Sequence, residues 1–228
     1  MPARAPHRTV VVCHGLPVEP GAASRTGRTF PALADQLARE SGWRVATCCL
    51  RGVGPSDGNF SISGWHDDLA AVVAAVRSAP GAPIWLAGFG ITGSLALCLA
   101  AEDATVRGVM TLASPASLAC GTKDPAWALA MARQVGVVRD AHFPGDLVSW
   151  ASPGHLDPLQ AVGAVVPRPV LVVHGADDDV VPVADARQLV EAGAPRAELR
   201  LLAGAGHRLR ADPRAVALLL GWLERQGP

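Results

Sequence analysis

The feature that most constrains this chain is the regular alternation of short apolar runs with longer Ala- and Leu-rich segments. The short runs are almost continuously hydrophobic, as expected of strands that are buried on both faces. The predicted strands are Thr9–Cys13, Arg44–Leu50, Ile84–Gly88, Val106–Ala113, Pro169–Gly175 and Ala197–Gly204, and the predicted helices are Phe30–Glu40, Asp67–Arg77, Ser94–Glu102, Ala184–Gly193 and Pro213–Gln226. This alternation predicts an α/β fold, a three-layer α/β/α sandwich around a parallel sheet of six strands.

The alternation stops between residues 114 and 167, where large apolar side chains lie among prolines, glycines and short helical pieces. We interpret this segment as a small cap inserted into a single domain that spans residues 1–228. An inserted segment needs somewhere to bury its large side chains, so Trp127, Phe143 and Trp150 are candidate substrate-binding residues that line an apolar pocket. Simple packing against the helices of the sheet would explain them equally well.

The charge composition bears on the partners to expect. Twenty basic and twenty acidic residues give a formal net charge of zero without blocks of like charge, so we expect neither nucleic acid nor an anionic membrane surface as a partner. The apolar run near the N-terminus is too short for a secretory signal, and no stretch is long enough to span a bilayer. Five cysteines, two of them adjacent, do not suggest a disulfide framework. We expect a cytoplasmic protein that binds a small apolar or acyl-type ligand without a cofactor; its oligomeric state stays open.

Chemically useful residues follow five of the predicted strands. The five segments read CHGLP (13–17), LRGVGPSDG (50–58), AGFGITG (87–93), HGADDDVVP (174–182) and GAGH (204–207). Ligands of parallel α/β sheets bind at the carboxyl ends of the strands, so these loops are predicted to meet at one site. In order and spacing they resemble the corresponding loops of the α/β-hydrolase family, and the resemblance covers most of the chain apart from the cap.

The resemblance implies roles for four residues. The backbone N–H groups of Leu16 and Ile91 would form an oxyanion hole, which needs two fixed donors aimed at one developing negative oxygen. His207 takes the place of the family's catalytic histidine, and Asp178 takes the place of the acid that orients it. We expect Asp178, rather than the neighbouring Asp179, to lie within hydrogen-bond distance of a ring nitrogen of His207.

The resemblance also predicts the order of the strands. The chain starts at the strand before HGLP, which leaves no room for the two strands that the family usually places ahead of it. The expected order is therefore 2-1-3-4-5-6, with all strands parallel. Among the remaining histidines, His7, His66, His142 and His155 are expected at the surface or in the cap, and the histidine spacing does not suggest a metal site.

The sequence departs from the family at the turn after the third predicted strand. Where the family has G-x-S-x-G, this chain has Gly88 first, Gly90 in the position of the nucleophilic serine and Thr92 last. Neither Thr92 nor Ser94 is expected to replace the serine, because a helix turns by about 100° per residue and carries both side chains away from the tip of the turn. Glycine at position 90 relieves the strain of a positive-φ turn, which favours folding at the expense of acyl chemistry.

These residues leave several readings open. In the first, His207, oriented by Asp178, acts as a general base on water or on a carbon acid, and the Leu16 and Ile91 amides stabilise the resulting oxyanion. In the second, the protein is a catalytically inactive pseudo-hydrolase that binds a small ligand or a partner. A third is that glycine was introduced at position 90 to trap a complex.

Overall fold

The computed structural model describes residues 8–77, 82–119 and 124–226. Its single sheet has the order β2-β1-β3-β4-β5-β6, and every neighbouring pair of strands is parallel. The strands are β1 Thr9–Cys13, β2 Arg44–Cys48, β3 Ile84–Phe89, β4 Val106–Leu112, β5 Val170–Gly175 and β6 Ala197–Leu202. The predicted fold class and strand order are confirmed.

The central strands β1, β3, β4 and β5 are mostly apolar and almost entirely buried because both of their faces are covered. In β1, Val10 and Val12 pack into one hydrophobic cluster, whereas Val11 and Cys13 pack into the cluster on the opposite face. Successive side chains of a strand point to opposite faces, so two covered faces require a continuous apolar run. The edge strands β2 and β6 are more exposed and accordingly carry polar residues.

Helices cover both faces of the sheet. They are α1 Ala23–Ser41, α2 Ile62–Val76, α3 Ile91–Glu102, α4 Pro125–Val135, α5 Leu147–Ala151, α6 Pro158–Val165, α7 Val183–Ala192 and α8 Pro213–Arg225. Helices α1 and α8 contribute to the cluster on one face, and α2, α3, α6 and α7 to the cluster on the other. Within the described ranges, no helix has both the length and the apolar character needed to cross a membrane.

Helix α1 begins a full two turns before the predicted start at Phe30. The segment before Phe30 is polar, ASRTGRT, and therefore lacks the apolar periodicity from which the helix was predicted. Thr26 and Thr29 satisfy their hydroxyls locally, donating to the carbonyls of Ala22 and Thr26. The additional turns extend α1 along the edge of the candidate site described below.

Three helices begin at an Asp-Pro pair, which explains where they start. Asp124, Asp157 and Asp212 accept hydrogen bonds from backbone N–H groups of the first turns of α4, α6 and α8, and proline follows each aspartate. Proline at the first helical position has the required φ and gives up an N–H that would have no partner there. In the 114–167 segment, these Asp-Pro pairs explain why α4 and α6 begin where they do although their apolar periodicity is weak.

The segment predicted to be a cap contains α4, α5 and α6. Helix α6 packs against α3 and α7 in the helical layer of the sheet, whereas α4 and α5 contact each other. Arg139, which lies between them, donates to the carbonyls of Gly52, Gly54 and Ser56 and so ties this segment to the loop after β2. The exact bounds of the cap stay a prediction.

Candidate active site

The turn between β3 and α3 has the backbone of a sharp strand-to-helix elbow. β3 ends at Phe89, α3 begins at Ile91, and Gly90 between them has φ 57° and ψ −133°. This positive-φ region is nearly restricted to glycine and costs other residues about 1–3 kcal/mol. The Gly90 N–H donates to the Leu112 carbonyl at 2.8 Å, which fixes the turn to β4.

The space around Gly90 is open, in contrast to that around its glycine neighbours. A Cβ placed on Gly90 would lie 3.6 Å from the Cα of Gly15 and 4.0 Å from Nε2 of His207, which are ordinary contact distances. A Cβ on Gly88 would lie only 2.4 Å from the backbone nitrogen of Gly93. Gly88 therefore allows the strand and helix to pack closely, whereas Gly90 leaves a gap that faces His207.

The two hydroxyl groups closest in sequence to the turn are engaged elsewhere. Thr92 is completely buried, and its hydroxyl lies within hydrogen-bond distance of the carbonyls of His14 and Phe89, at 3.0 and 2.9 Å. The Ser94 hydroxyl donates to the Pro115 carbonyl at 2.5 Å. Both side chains thus bond to backbone oxygens, which agrees with the expectation that neither replaces the serine.

His207 and Asp178 form the predicted pair. Nδ1 of His207 lies 3.0 Å from Oδ2 of Asp178, whose side chain is fully buried, while 16% of the His207 side chain is exposed. The other carboxylate oxygen, Oδ1, accepts the backbone N–H groups of Val180 and Val181 at 2.9 and 2.8 Å. These donors hold the carboxylate so that it accepts from Nδ1, which leaves Nε2 of His207 unprotonated in the neutral ring and able to take a proton.

A second histidine lies against the same carboxylate. His174, at the end of β5, is completely buried, with Nε2 2.9 Å from the Val181 carbonyl and 3.4 Å from Oδ2 of Asp178. Asp179, by contrast, is exposed. Of the three consecutive aspartates 177–179, the middle one therefore has its side chain buried.

His14 organises the loop that carries Leu16. Its Nε2 accepts the Leu50 N–H at 3.1 Å, so the ring proton is on Nδ1, which donates to the Gly15 carbonyl at 3.0 Å. The carbonyl and N–H of a trans peptide point in opposite directions, so this contact also fixes the direction of the Leu16 N–H. Within the described residues, the N–H groups of Leu16 and Ile91 donate to no backbone oxygen, and they stay the predicted oxyanion donors.

Burial lowers the pKa of His14 from 6.5 to about 4, and the hydrogen bond to the Gly15 carbonyl opposes this only in part. The neutral ring is required because Nε2 must accept the Leu50 N–H.

We expect the free energy of unfolding to fall as the pH drops from about 6.5 towards about 4. In that window the unfolded His14 binds a proton and the folded one does not. Protonation therefore stabilises the unfolded state, and the free energy of unfolding falls by about 3 kcal/mol in total. Urea unfolding at a series of pH values measures this. His14→Gln, which keeps a donor and an acceptor without titrating, should show a flatter profile, and an unchanged profile would contradict the assignment.

Two cavities at this site share part of their lining. The first, of about 360 Å³, is lined by residues that include Phe30, Gly90, His207 and Arg210. The second, of about 550 Å³, lies under α4 and is lined mostly by apolar side chains. Among the residues that the structure describes, only 16–18 line both cavities, so the loop carrying the Leu16 amide lies between the two spaces.

The structure brings two of the three predicted cap aromatics to the second cavity. Trp127, 55% exposed, and Trp150, 7% exposed, both line it, and Nε1 of Trp150 donates to the Phe60 carbonyl at 2.8 Å. Phe143 is absent from that lining and packs against the main hydrophobic cluster. A role of these residues in binding substrate stays a prediction.

The placement of the other histidines is mixed. His142 and His155 are exposed, as expected, and His7 lies outside the described residues. The expectation for His66 was wrong: its side chain is buried on the inner face of α2, with Nε2 3.4 Å from Glu102. Across the described parts of the chain, no group of three or more metal-ligating side chains is arranged to hold an ion.

Comparison with known proteins gives the fold of this chain. No family model and no curated protein matches the sequence, but solved structures match it over nearly its whole length. TT1662 from Thermus thermophilus is 23% identical with a TM-score of 0.69, covering 99% of this chain and 92% of that one. The esterase domain of a Rhodothermus marinus protein is 19% identical with a TM-score of 0.67, covering 98% of this chain and 89% of that one.

An alpha-beta serine hydrolase homologue from Coxiella burnetii is also similar, at 22% identity and a TM-score of 0.61, covering 100% of this chain and 88% of that one. Together with the parallel sheet and the strand-to-helix elbow, these matches define an α/β-hydrolase fold. The predicted resemblance is confirmed at the level of fold.

Proposed function

We propose that this protein is an enzyme in which His207, oriented by Asp178, acts as a general base on water or on a carbon acid of a carbonyl substrate. No covalent acyl-enzyme forms, because Gly90 supplies no attacking atom. The N–H groups of Leu16 and Ile91 stabilise the negative oxygen that develops on the carbonyl.

The observation that carries this proposal is the Asp178–His207 pair. A fully buried carboxylate is costly unless it is hydrogen-bonded, and this one has two backbone donors and the imidazole as partners. The arrangement keeps the proton on Nδ1 and leaves Nε2 on the side of the gap at Gly90. A histidine with only a structural role would not need a free ring nitrogen beside an open cavity.

The lack of a side chain at position 90 affects the two reactions differently. Where a hydrolytic triad loses its nucleophile, ester cleavage falls by about 10⁶, and roughly 10³–10⁴ over water survives through the oxyanion hole and binding. Removing a proton next to a carbonyl needs only a base and a stabilised oxyanion, so this reaction loses much less. The proposal therefore favours slow hydrolysis or faster proton abstraction over acyl transfer.

His207→Ala tests the proposal. Two reactions are followed: exchange of α-protons for deuterium in a panel of small ketones and thioesters, by NMR, and hydrolysis of p-nitrophenyl acetate. We expect at least a roughly hundredfold loss in whichever reaction the wild type catalyses, since positioned general bases contribute about 10²–10⁴. Asp178→Asn should act in the same direction, because it no longer selects the Nδ1–H tautomer.

His155→Ala is the matched control, because activated esters also react with exposed histidines and His155 is exposed away from the cavities at residues 16–18. It should leave both rates unchanged. If His207→Ala also leaves both unchanged, the general-base proposal fails. The alternative, a non-catalytic binding protein that holds a ligand in the apolar cavity, would then replace it.

A further inference from the structure

We propose that the cavity beside His207 binds an anionic oxygen group of the substrate, a carboxylate or a phosphate, and that Arg210 is the residue that recognises it. This inference rests on the proposed function, because it assigns a substrate class to the same site. The balanced net charge of the chain did not suggest an anion site, because a net charge of zero does not show where positive charges are concentrated.

The charges that line this cavity are unbalanced. Its lining, as far as the described residues show it, contains Arg25, Arg208 and Arg210 with a single carboxylate, that of Glu19. Glu19 pairs with Arg25 at 3.2 Å through one oxygen and with Arg208 through the other. One negative charge is thus shared by two guanidinium groups, and the cavity keeps a positive excess that favours an anion.

Arg210 is the arginine of this set that Glu19 does not engage. Within the described residues, no carboxylate lies within ion-pair distance of it. Its guanidinium carbon lies 5.9 Å from the centre of the Phe30 ring, and the side chain is half-buried. A guanidinium held against an aromatic ring keeps its planar donor edge free, and that edge matches the two oxygens of a carboxylate or phosphate.

The chain places this donor close to the proposed base. Arg210 lies in a short 3₁₀ turn, Leu209–Ala211, that is separated from His207 by one residue and precedes α8. Arg210, His207 and Gly90 line the same cavity. An anionic group bound by Arg210 would therefore hold its substrate next to Nε2 of His207.

The second cavity completes the description of the substrate. It is lined by Leu118, Met131, Trp150 and other apolar residues, and it shares residues 16–18 with the lining of the first. A ligand that fills both has an acidic end, an apolar end and a carbonyl between them at the Leu16 amide. We infer an amphipathic acid or phosphate ester rather than a neutral apolar molecule.

Binding calorimetry with three ligands of equal chain length tests the inference: octanoate, octyl phosphate and the neutral octanamide. In wild type we expect the better of the two anions to bind about tenfold more tightly than octanamide. The anion that binds more tightly shows whether the substrate carries a carboxylate or a phosphate. Arg210→Met keeps the apolar stem and removes the charge, so it should abolish the preference while leaving octanamide binding unchanged. Arg210→Lys should retain part of it.

Arg187→Met is the control, since Arg187 is exposed on α7 and lines neither cavity. It should retain the full preference. Equal binding of all three ligands to wild type, or an equal loss for all three in Arg210→Met, would overturn the inference.

The same titrations in His207→Ala separate this inference from the proposed function. The anion preference needs no turnover and should persist there, so a charge on the imidazole cannot account for it. Persistence of the preference without any His207-dependent reaction would leave the anion site standing and remove the catalytic proposal. Loss of the preference in His207→Ala would overturn the assignment to Arg210.

Discussion

Gly90→Ser is expected to give burst kinetics and a covalent acyl-enzyme with p-nitrophenyl acetate. A Cβ at this position meets no close contact and lies 4.0 Å from Nε2 of His207, so one rotamer of the serine can bring its hydroxyl within hydrogen-bond distance of that nitrogen. With the acid and the histidine in place, the attacking oxygen is the only group of the triad to be added. We expect at least a hundredfold gain in ester cleavage over wild type, with a ceiling of about 10⁶.

Two matched variants isolate the hydroxyl. Gly90→Ala imposes the same positive-φ strain, about 1–3 kcal/mol, but adds no nucleophile, so it should lose stability without gaining activity. The double variant Gly90→Ser, His207→Ala should form no acyl-enzyme. A folded Gly90→Ser protein that remains unlabelled, judged by mass spectrometry across a broad panel of esters, would show that the donors and the base are not aligned for acyl transfer.

Gly88→Ala is expected to cost about 3 kcal/mol or more in the free energy of unfolding. The new Cβ would lie 2.4 Å from the backbone nitrogen of Gly93 and 2.5 Å from its Cα. Backbone cannot move aside as a flexible side chain can, so β3 and α3 would have to separate. Urea unfolding, with wild type under the same conditions, measures the loss.

The control is Gly163→Ala in α6. Its Cβ would meet only the Ala192 carbonyl at an ordinary 3.5 Å, and alanine is the better helix former, so we expect a gain of about 0.5–1 kcal/mol. A similar effect of the two substitutions, or a Gly88→Ala protein as stable as wild type, would contradict the packing described for the elbow.

The sheet could be predicted because its signals are local. All five residues of β1 are buried and four of them are apolar, and its boundaries agree with the sequence pattern. The pair Asp178 and His207 could be predicted because each directly follows a strand whose carboxyl end must face the same edge. The loop order then singled out His207 among the histidines.

The charged cavity could not be predicted in the same way. Its wall joins Phe30 of α1 to Arg210 near the C-terminus, two residues whose proximity depends on how α1 crosses the sheet. The first turns of α1 are polar and resemble a loop in sequence, so Arg25 gave no sign of facing the site. His66 was misjudged for a related reason: a polar residue type was read as a surface position, whereas burial depends on which face of α2 it occupies.

The position of residues 16–18 between two unlike cavities has a stereochemical consequence for the proposed reaction. A substrate whose acidic and apolar ends occupy different spaces cannot turn its carbonyl plane over. Of these two cavities, His207 lines the first and not the second, so its Nε2 approaches the substrate from one side and removes one of two enantiotopic hydrogens. Deuterium introduced by exchange would then appear with a single configuration at the α-carbon. The difference in polarity between the two cavities would thus determine the stereochemistry of the product.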